Sequence, residues 1–393
     1  MNKAKIIGIA FLILLIFVAA GCAEIGSQTQ ISAPVVVQPA ATPQESTGLV
    51  PVDKPKSVVI LNSYEPDYWA TVDENKGIID GLATIGFKEG ENITITRLYM
   101  NTKTINNTHE KMEAIAQDMV NQTLAAIPDL IFITDDDALV HVGSKLLDFT
   151  DHPVVFSGIN GDPTSPNYTA YGPLVTSLSD NTKPVTGILE RTQFKPGFEL
   201  LKEIYPNAQT ALFITDNSSV SELVLKDAGG EAELDHVALD VVKKVSTDSY
   251  EEIQSLVLEY QDKVDAIVLF LAFTIVDSQG RHVPEKEVVR WWVQNNRLPG
   301  VAFWNVLSEE GILVGSIVDM EQQGFHAGLR GGRILLGELP YRMPIVDPVA
   351  NKIALNLARA DQIKADIPFS LLKQADIVHL KMSAYPEYQI ATE

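Results

Sequence analysis

The sequence predicts an α/β protein built as two doubly wound parallel-sheet lobes. From Lys56 onward, short runs rich in Val and Ile alternate with longer amphipathic stretches, the pattern of a parallel sheet covered by helices on both faces. The alternation comes as two successive series, with the polar, proline-bearing stretch 174–184 between them as a crossover strand or hinge. About 340 residues follow the leader and tether described next, enough for two lobes at ~150 residues per domain.

In chain order, the first segment carries Lys3 and Lys5, then an apolar run over 6–18 that is too short for a committed membrane span, then Ala19-Ala20-Gly21-Cys22. This predicts a lipoprotein signal peptide over 1–21. Small residues before Cys22 fit a narrow peptidase site, and the thiol accepts a diacylglyceryl group before cleavage. Cys22 is the single cysteine of the chain, so none remains for a disulfide or a thiolate metal site. Residues 22–55 hold the acylated cysteine and a Ser/Thr/Gln/Ala/Pro-rich stretch that cannot bury enough surface to offset its ordering entropy, and they read as a disordered tether.

Loss of 1–21 removes Lys3 and Lys5 and no acid, which takes the 30 basic residues to 28 against 51 acidic ones, a balance of -23. Such a surface repels nucleic acid and anionic headgroups. Asn-x-Ser/Thr sequons at Asn92, Asn106, Asn121, Asn167 and Asn217 are read as polar surface, their glycosylation left open.

Strands are expected at 58–61, 93–98, 130–133 and 154–156, with helices at 72–85 and 108–123. The second series places strands at 185–189, 210–214, 237–242, 266–270 and 300–303, with helices near 197–204, 250–260 and 284–295. The stretch 311–320 is expected to return to the first lobe, and "GELPYRMPIVDP" to cross again. Lobe 1 is thus 56–183 plus 316–343, and lobe 2 is 184–315 plus 344–393.

Five segments carry a family resemblance: "SVVILNSYEPDYWATVDENKGIIDGL", "PDLIFITDDDAL", "HPVVFSGINGDP", "PVTGILERTQFKPGFELLKEIYPNAQTALFIT" and "NKIALNLARADQIKADIPFSLLKQADIV". In order and spacing they resemble the ABC-transporter substrate-binding protein family, including its aromatic-amino-acid-binding and sensor-associated relatives, from about Lys56 to the end. The resemblance implies a type I periplasmic-binding-protein fold, with three hinge crossovers and a small-molecule ligand between the lobes. It also implies an ABC permease with its ATPase, or a sensor kinase, as partner. One departure stands out: the family usually has a glycine before "IP", where this chain has Lys364-Ala365-Asp366.

In open parallel sheets, ligands bind beyond the carboxyl ends of the strands. After the first strand come Ser63, Tyr64, Tyr68 and Trp69: Ser63 and Tyr64 are expected in the cleft, and Tyr68 or Trp69 as a stacking ring, with helix capping and helix packing as the alternatives for Ser63 and Trp69. The third strand ends in Asp135, Asp136 and Asp137, consecutive acids that diverge rather than converge on a metal ion. One is expected to cap the following helix over 138–147, and another to accept hydrogen bonds from a ligand ammonium. Ser157, Gly158 and Asn160 suit a ligand carboxylate or hydroxyl, or a tight turn. From the second series, Glu190, Asn217, Phe273, Trp304 and Asn305 lie at strand ends, Trp304 facing either the opposite lobe or the hinge. Trp291 and Trp292 lie in the amphipathic "EKEVVRWWVQNN", where at least one is expected to pack into the core.

The chain has no H-E-x-x-H, no G-x-S-x-G, no Walker loop and no dinucleotide fingerprint, and its histidines show no ligand spacing. No enzyme activity, cofactor or metal is expected. The resulting expectation is a monomeric, extracytoplasmic, lipid-anchored substrate-binding protein of an ABC importer that captures an amino acid or similar metabolite. A sensing module that hands its closed state to a sensor kinase is the alternative.

Overall fold

The computed structural model describes residues 49–390 except 150, 181 and 350; the leader and Cys22 lie outside the described residues. The first lobe runs β1 (Lys56–Asn62), α1 (Trp69–Ile85), β2 (Ile93–Tyr99), α2 (His109–Ala125), β3 (Leu130–Thr134), α3 (Asp136–Ala138), α4 (Ser144–Phe149), β4 (Val154–Ile159) and β5 (Val185–Leu189). Its strands form one parallel sheet in the order β2-β1-β3-β4-β5. Successive side chains of a strand face opposite ways, so a run of apolar residues is needed where both faces are covered. In β1, Val58 and Ile60 pack with Ile78 and Leu82 of α1, while Leu61 joins Ala116 and Val120 of α2 and Leu139.

The second lobe runs α5 (Phe194–Ile204), β6 (Thr210–Thr215), α6 (Ser219–Glu222), α7 (Gly230–Glu233), β7 (Asp240–Ser246), α8 (Tyr250–Tyr260), β8 (Ala266–Leu269), α9 (Glu285–Asn295), β9 (Val301–Ala302), α10 (Asn305–Glu310) and β10 (Val314–Ile317). After α11 (Met320–Leu335) the chain adds β11 (Lys352–Asn356), α12 (Leu357–Ile363), α13 (Phe369–Leu372) and β12 (Ile377–His379). The strands are ordered β7-β6-β8 and β12-β11-β10-β9, with β11 antiparallel to β10. A hydrogen bond from the Ile267 N–H to the Pro299 carbonyl (3.0 Å) sets β8 beside β9.

Three expectations are corrected. The strand at 185–189 does not open the second lobe: it pairs with β4, Val154 opposite Val185, and completes the first sheet. The first crossing therefore falls after Leu189, not at 174–184. Next, β10 pairs with β9 and β11 and stays in the second lobe; the segment that returns is α11, which packs on α1. Finally, ordered packing starts before Lys56. The Val50 N–H donates to the Gly86 carbonyl (3.0 Å), and Val50 and Val52 lie against the apolar cluster of the first sheet.

The passages between lobes run side by side. Ile188 and Val346 form a parallel bridge. Arg191 pairs with Asp347 (3.0 Å), and Lys352 pairs with Asp319 (2.7 Å). The return of α11 depends on glycine. Gly77 and Gly81 on α1 face Gly324 and Gly328 on α11; a Cβ on Gly77 would lie 2.0 Å from the Glu321 carbonyl oxygen, and one on Gly328 would lie 2.3 Å from that of Ile78. Spacing by four puts each pair on one helix face, so the backbones touch directly. At the family departure, Lys364 takes the left-handed position that closes α12 (φ 56°), the conformation in which glycine is usual.

Candidate ligand-binding site

In a sheet ordered 2-1-3-4-5, the winding reverses between the first and third strands, and the crevice beyond their carboxyl ends is the natural binding position. Tyr64 and Asp135 stand at that place. Asp135 has φ 68° and ψ 164°, a region that side chains avoid and that stores strain of ~1–3 kcal/mol. It is held there by its N–H, which donates to the Ser157 carbonyl (2.9 Å), and by its carboxylate, which accepts from the Asp136 N–H (2.8 Å) as the cap of α3. The expected cap is therefore Asp135 itself. Burial and the Asp136 charge push the Asp135 carboxyl well above its ordinary range, while the Lys103 ammonium and the Tyr64 hydroxyl pull it back.

Glu190 follows β5 at the first crossing and is 3% exposed. Burial, and then the charges of Asp135 and Asp136, push its carboxyl up to about 8. Its Oε1 accepts from the Trp304 indole N–H (3.3 Å), a contact between the two lobes. Trp304 is fixed from behind by Phe270, with ring centroids 5.3 Å apart, and Phe270 belongs to a buried aromatic group with Phe194, Phe213 and Phe303. Phe273 is placed by Asp216, whose carboxylate accepts from the N–H groups of Phe273 and Thr274 and from the Ser218 and Ser221 hydroxyls.

These groups line a narrow cavity of ≈ 30 Å³ between the lobes. Tyr64, Tyr68, Trp69, Lys103 and Asp135 line it from the first lobe, and Asn160 and Glu190 from beside the first crossing. Val220, Phe273 and Trp304 face them from the second lobe, and Met320 lies at the second crossing. The Asn160 Oδ1 is buried without a partner, and so is the Glu74 Oε1, which lies 2.6 Å from where a Cβ on Gly158 would stand.

Of the residues singled out in the sequence, Tyr64, Tyr68, Trp69, Asp135, Asn160, Glu190, Phe273 and Trp304 therefore come together, and the other candidate ligand residues lie elsewhere. The Ser63 hydroxyl donates to the Thr134 carbonyl (2.8 Å) and accepts from the Ala138 N–H (2.8 Å), which anchors α3. Asp136 accepts from the N–H groups of Asn160 and Gly161 and from the Tyr168 hydroxyl, so it shapes the loop carrying Asn160. Ser157 and Gly158 sit inside β4 rather than after it, where the pairing with β5 slips register. Gly158 has φ +75° with Glu74 packed against it, so its conformation and its surroundings both call for glycine. Asn217 is exposed on an open groove of the second lobe, where its N–H donates to Asp248 (2.9 Å). Asn305 turns towards β12 and pairs with His379 (3.0 Å).

Lys103 was missed. It lies in the loop after β2, and the strand-end rule that selected Tyr64 and Asp135 would have selected it as well. Glu74 had no comparable signal, since it sits on the buried face of α1.

Comparison with known proteins gives the family and the fold. The family model described as "ABC transporter substrate binding protein" matches residues 67–379. No curated protein matches the chain. Among solved structures, the ABC domain from Streptococcus pneumonia in complex with L-Trp is 24% identical, with 83% of this chain and 100% of that chain covered and a TM-score of 0.61. The ligand-free, open structure of a Clostridium difficile substrate-binding protein with adhesive properties is 22% identical over the same shares, with a TM-score of 0.63. A conserved domain protein from Vibrio cholerae is 20% identical over the same shares, at 0.61. These likenesses establish the type I periplasmic-binding-protein fold. Together with a family match over most of its length, they place the chain in the ABC transporter substrate-binding protein family.

Proposed function

We propose that the chain is an extracytoplasmic substrate-binding protein of an ABC importer, anchored by a lipid on Cys22, which captures an amino acid or similar small solute between its lobes. The observation that carries this reading is the cavity whose walls come from both lobes, with Glu190 and Trp304 meeting across it. A guest that touches both walls stabilises the closed form by the difference in its affinity for the two states. In the proposed roles, Tyr64, Trp69, Phe273 and Trp304 hold an apolar body, and Asp135, Asn160 and Glu190 fix its polar end. The closed form then docks on a permease driven by a cytoplasmic ATPase.

Native mass spectrometry of protein purified without refolding tests this reading. A small molecule travelling with the protein, released on unfolding and rebound with heat in calorimetry, is the expected result. Empty protein that gives no heat with any member of a broad metabolite panel, L-tryptophan included, would contradict it. For the anchor, Cys22→Ser is expected to move the protein from the membrane to the soluble fraction.

A further inference from the structure

The cavity between the lobes already holds one cation, the protein's own. The Lys103 ammonium lies 4.1 Å from the centroid of the Tyr64 ring, 5.5 Å from that of Tyr68 and 5.2 Å from that of Phe273. Three ring faces from two lobes around one ammonium make a cation cage. No carboxylate among the described residues lies within ion-pair distance of Lys103, so the rings and the field of the nearby acids are what hold it there. Its backbone is pinned on both sides: the Thr102 hydroxyl donates to Asp137 (2.6 Å), and the Thr104 N–H donates to Glu65 (2.9 Å). The side chain, partly exposed, is the movable part.

Acceptors in and behind the cavity remain open. Asp135 and Glu190 line it as acids, the Asn160 Oδ1 is unpartnered, and the Glu74 Oε1 behind Gly158 is unpartnered as well. The Trp304 N–H is already given to Glu190. Lys103 is the one cationic residue lining the cavity among the described residues. A guest that supplies N–H donors answers the open acceptors, and its positive charge favours loss of the protons that burial holds on Asp135 and Glu190. An alkylammonium does so with three donors and no acceptor. Trp69, Trp304, Val220 and Met320 also line the cavity, surfaces for a flat apolar body.

With an amino acid or similar amine as the guest, we propose that in the empty protein Lys103 occupies the place of the guest's ammonium and must swing out to admit it. This rests on the reading of the chain as a solute-binding protein. Lys103 is then a built-in competitor that sets affinity, and not a partner for a ligand carboxylate. Amino acids and their decarboxylated amines share the recognised group.

Calorimetry on the full-length chain in detergent, with three indole compounds that differ only in charge, tests the proposal. L-tryptophan and tryptamine carry the ammonium, and indole-3-propionate does not. The first two are expected to bind and the third to fail; whichever of the two binds more tightly names the source, amino acid or amine. Lys103→Met is expected to tighten tryptamine binding about threefold to thirtyfold by vacating the cage and removing the competing charge. Lys103→Arg, which keeps the cation, is expected to stay near the natural affinity. Phe273→Leu, which removes one cage wall, is expected to weaken tryptamine several-fold and provides a second readout should Lys103→Met misfold. Weaker or unchanged tryptamine binding in a folded Lys103→Met protein would overturn the proposal. So would binding of indole-3-propionate, or of a neutral sugar, in place of tryptamine, and either result would leave the solute-binding reading standing. Silence from every compound would overturn the proposal, and the broad metabolite panel would then decide the solute-binding reading separately.

Discussion

Glu190 sits at the end of β5 with its carboxyl pushed up to about 8, chiefly by burial and then by Asp135 and Asp136. A free glutamate titrates near 4.3, so between these values the folded protein binds more protons at this site than the unfolded chain does. Stability contributed by the neutral carboxyl is therefore full below the unfolded value and is lost as pH rises towards 8. Thermal melts of the empty protein are expected to show stability falling from pH 5.5 to 8, on the order of 3 kcal/mol for this group at most, and Glu190→Gln is expected to reduce that slope. Equal slopes for the two proteins would show that Glu190 does not hold its proton. At this scale the sequence was legible where a polar or aromatic residue directly follows a strand, as with Tyr64, Asp135 and Trp304. It was misleading where a neighbouring backbone claims the same group: the hydroxyl of Ser63 and the carboxylate of Asp136 are consumed in holding loops. Nothing local in a sequence distinguishes the two fates, because the competing donors lie 24 to 75 residues away.

Element positions were legible to within a few residues wherever an apolar run had turn residues at both ends, as in α8 and β3. Pairing was not. The strand Val185–Leu189 reads like the start of a new series, and only its hydrogen bonds to β4 assign it to the first sheet. The α1–α11 contact was equally hidden, since Gly77, Gly81, Gly324 and Gly328 look like weak helix positions until the two helices are seen touching. Gly328→Val is expected to lose about 1–3 kcal/mol, or more, in urea unfolding, because the obstacle is the backbone carbonyl of Ile78, which cannot rotate away. At the end of α2, Ile127 has φ 47° while 80% exposed, a β-branched residue in the left-handed region with little packing to lose. Ile127→Gly is expected to gain about 1 kcal/mol in the same assay. An unaffected Gly328→Val protein would mean that the helices can separate at no cost, and α11 would then not lock the first lobe.

At the scale of the molecule, both lobes are independently covered on two faces, and few contacts other than the cavity walls and the crossings join them. Arg191–Asp347 and Lys352–Asp319 tie neighbouring crossings together, so the lobes can turn about a braced hinge and not a loose one. Lys103 of the first lobe lies over Phe273 of the second, and Glu190 meets Trp304, so an opening of the cleft would part both pairs. The central claim is that a small guest draws the two lobes together. Single-molecule energy transfer tests it most directly, with dyes on Glu110→Cys in α2 and Glu231→Cys in α7 in a Cys22→Ser background; both positions are exposed. A saturating ligand identified by native mass spectrometry is expected to convert a broad or two-state distance distribution into one short-distance population. An identical distribution with and without that ligand would contradict the account.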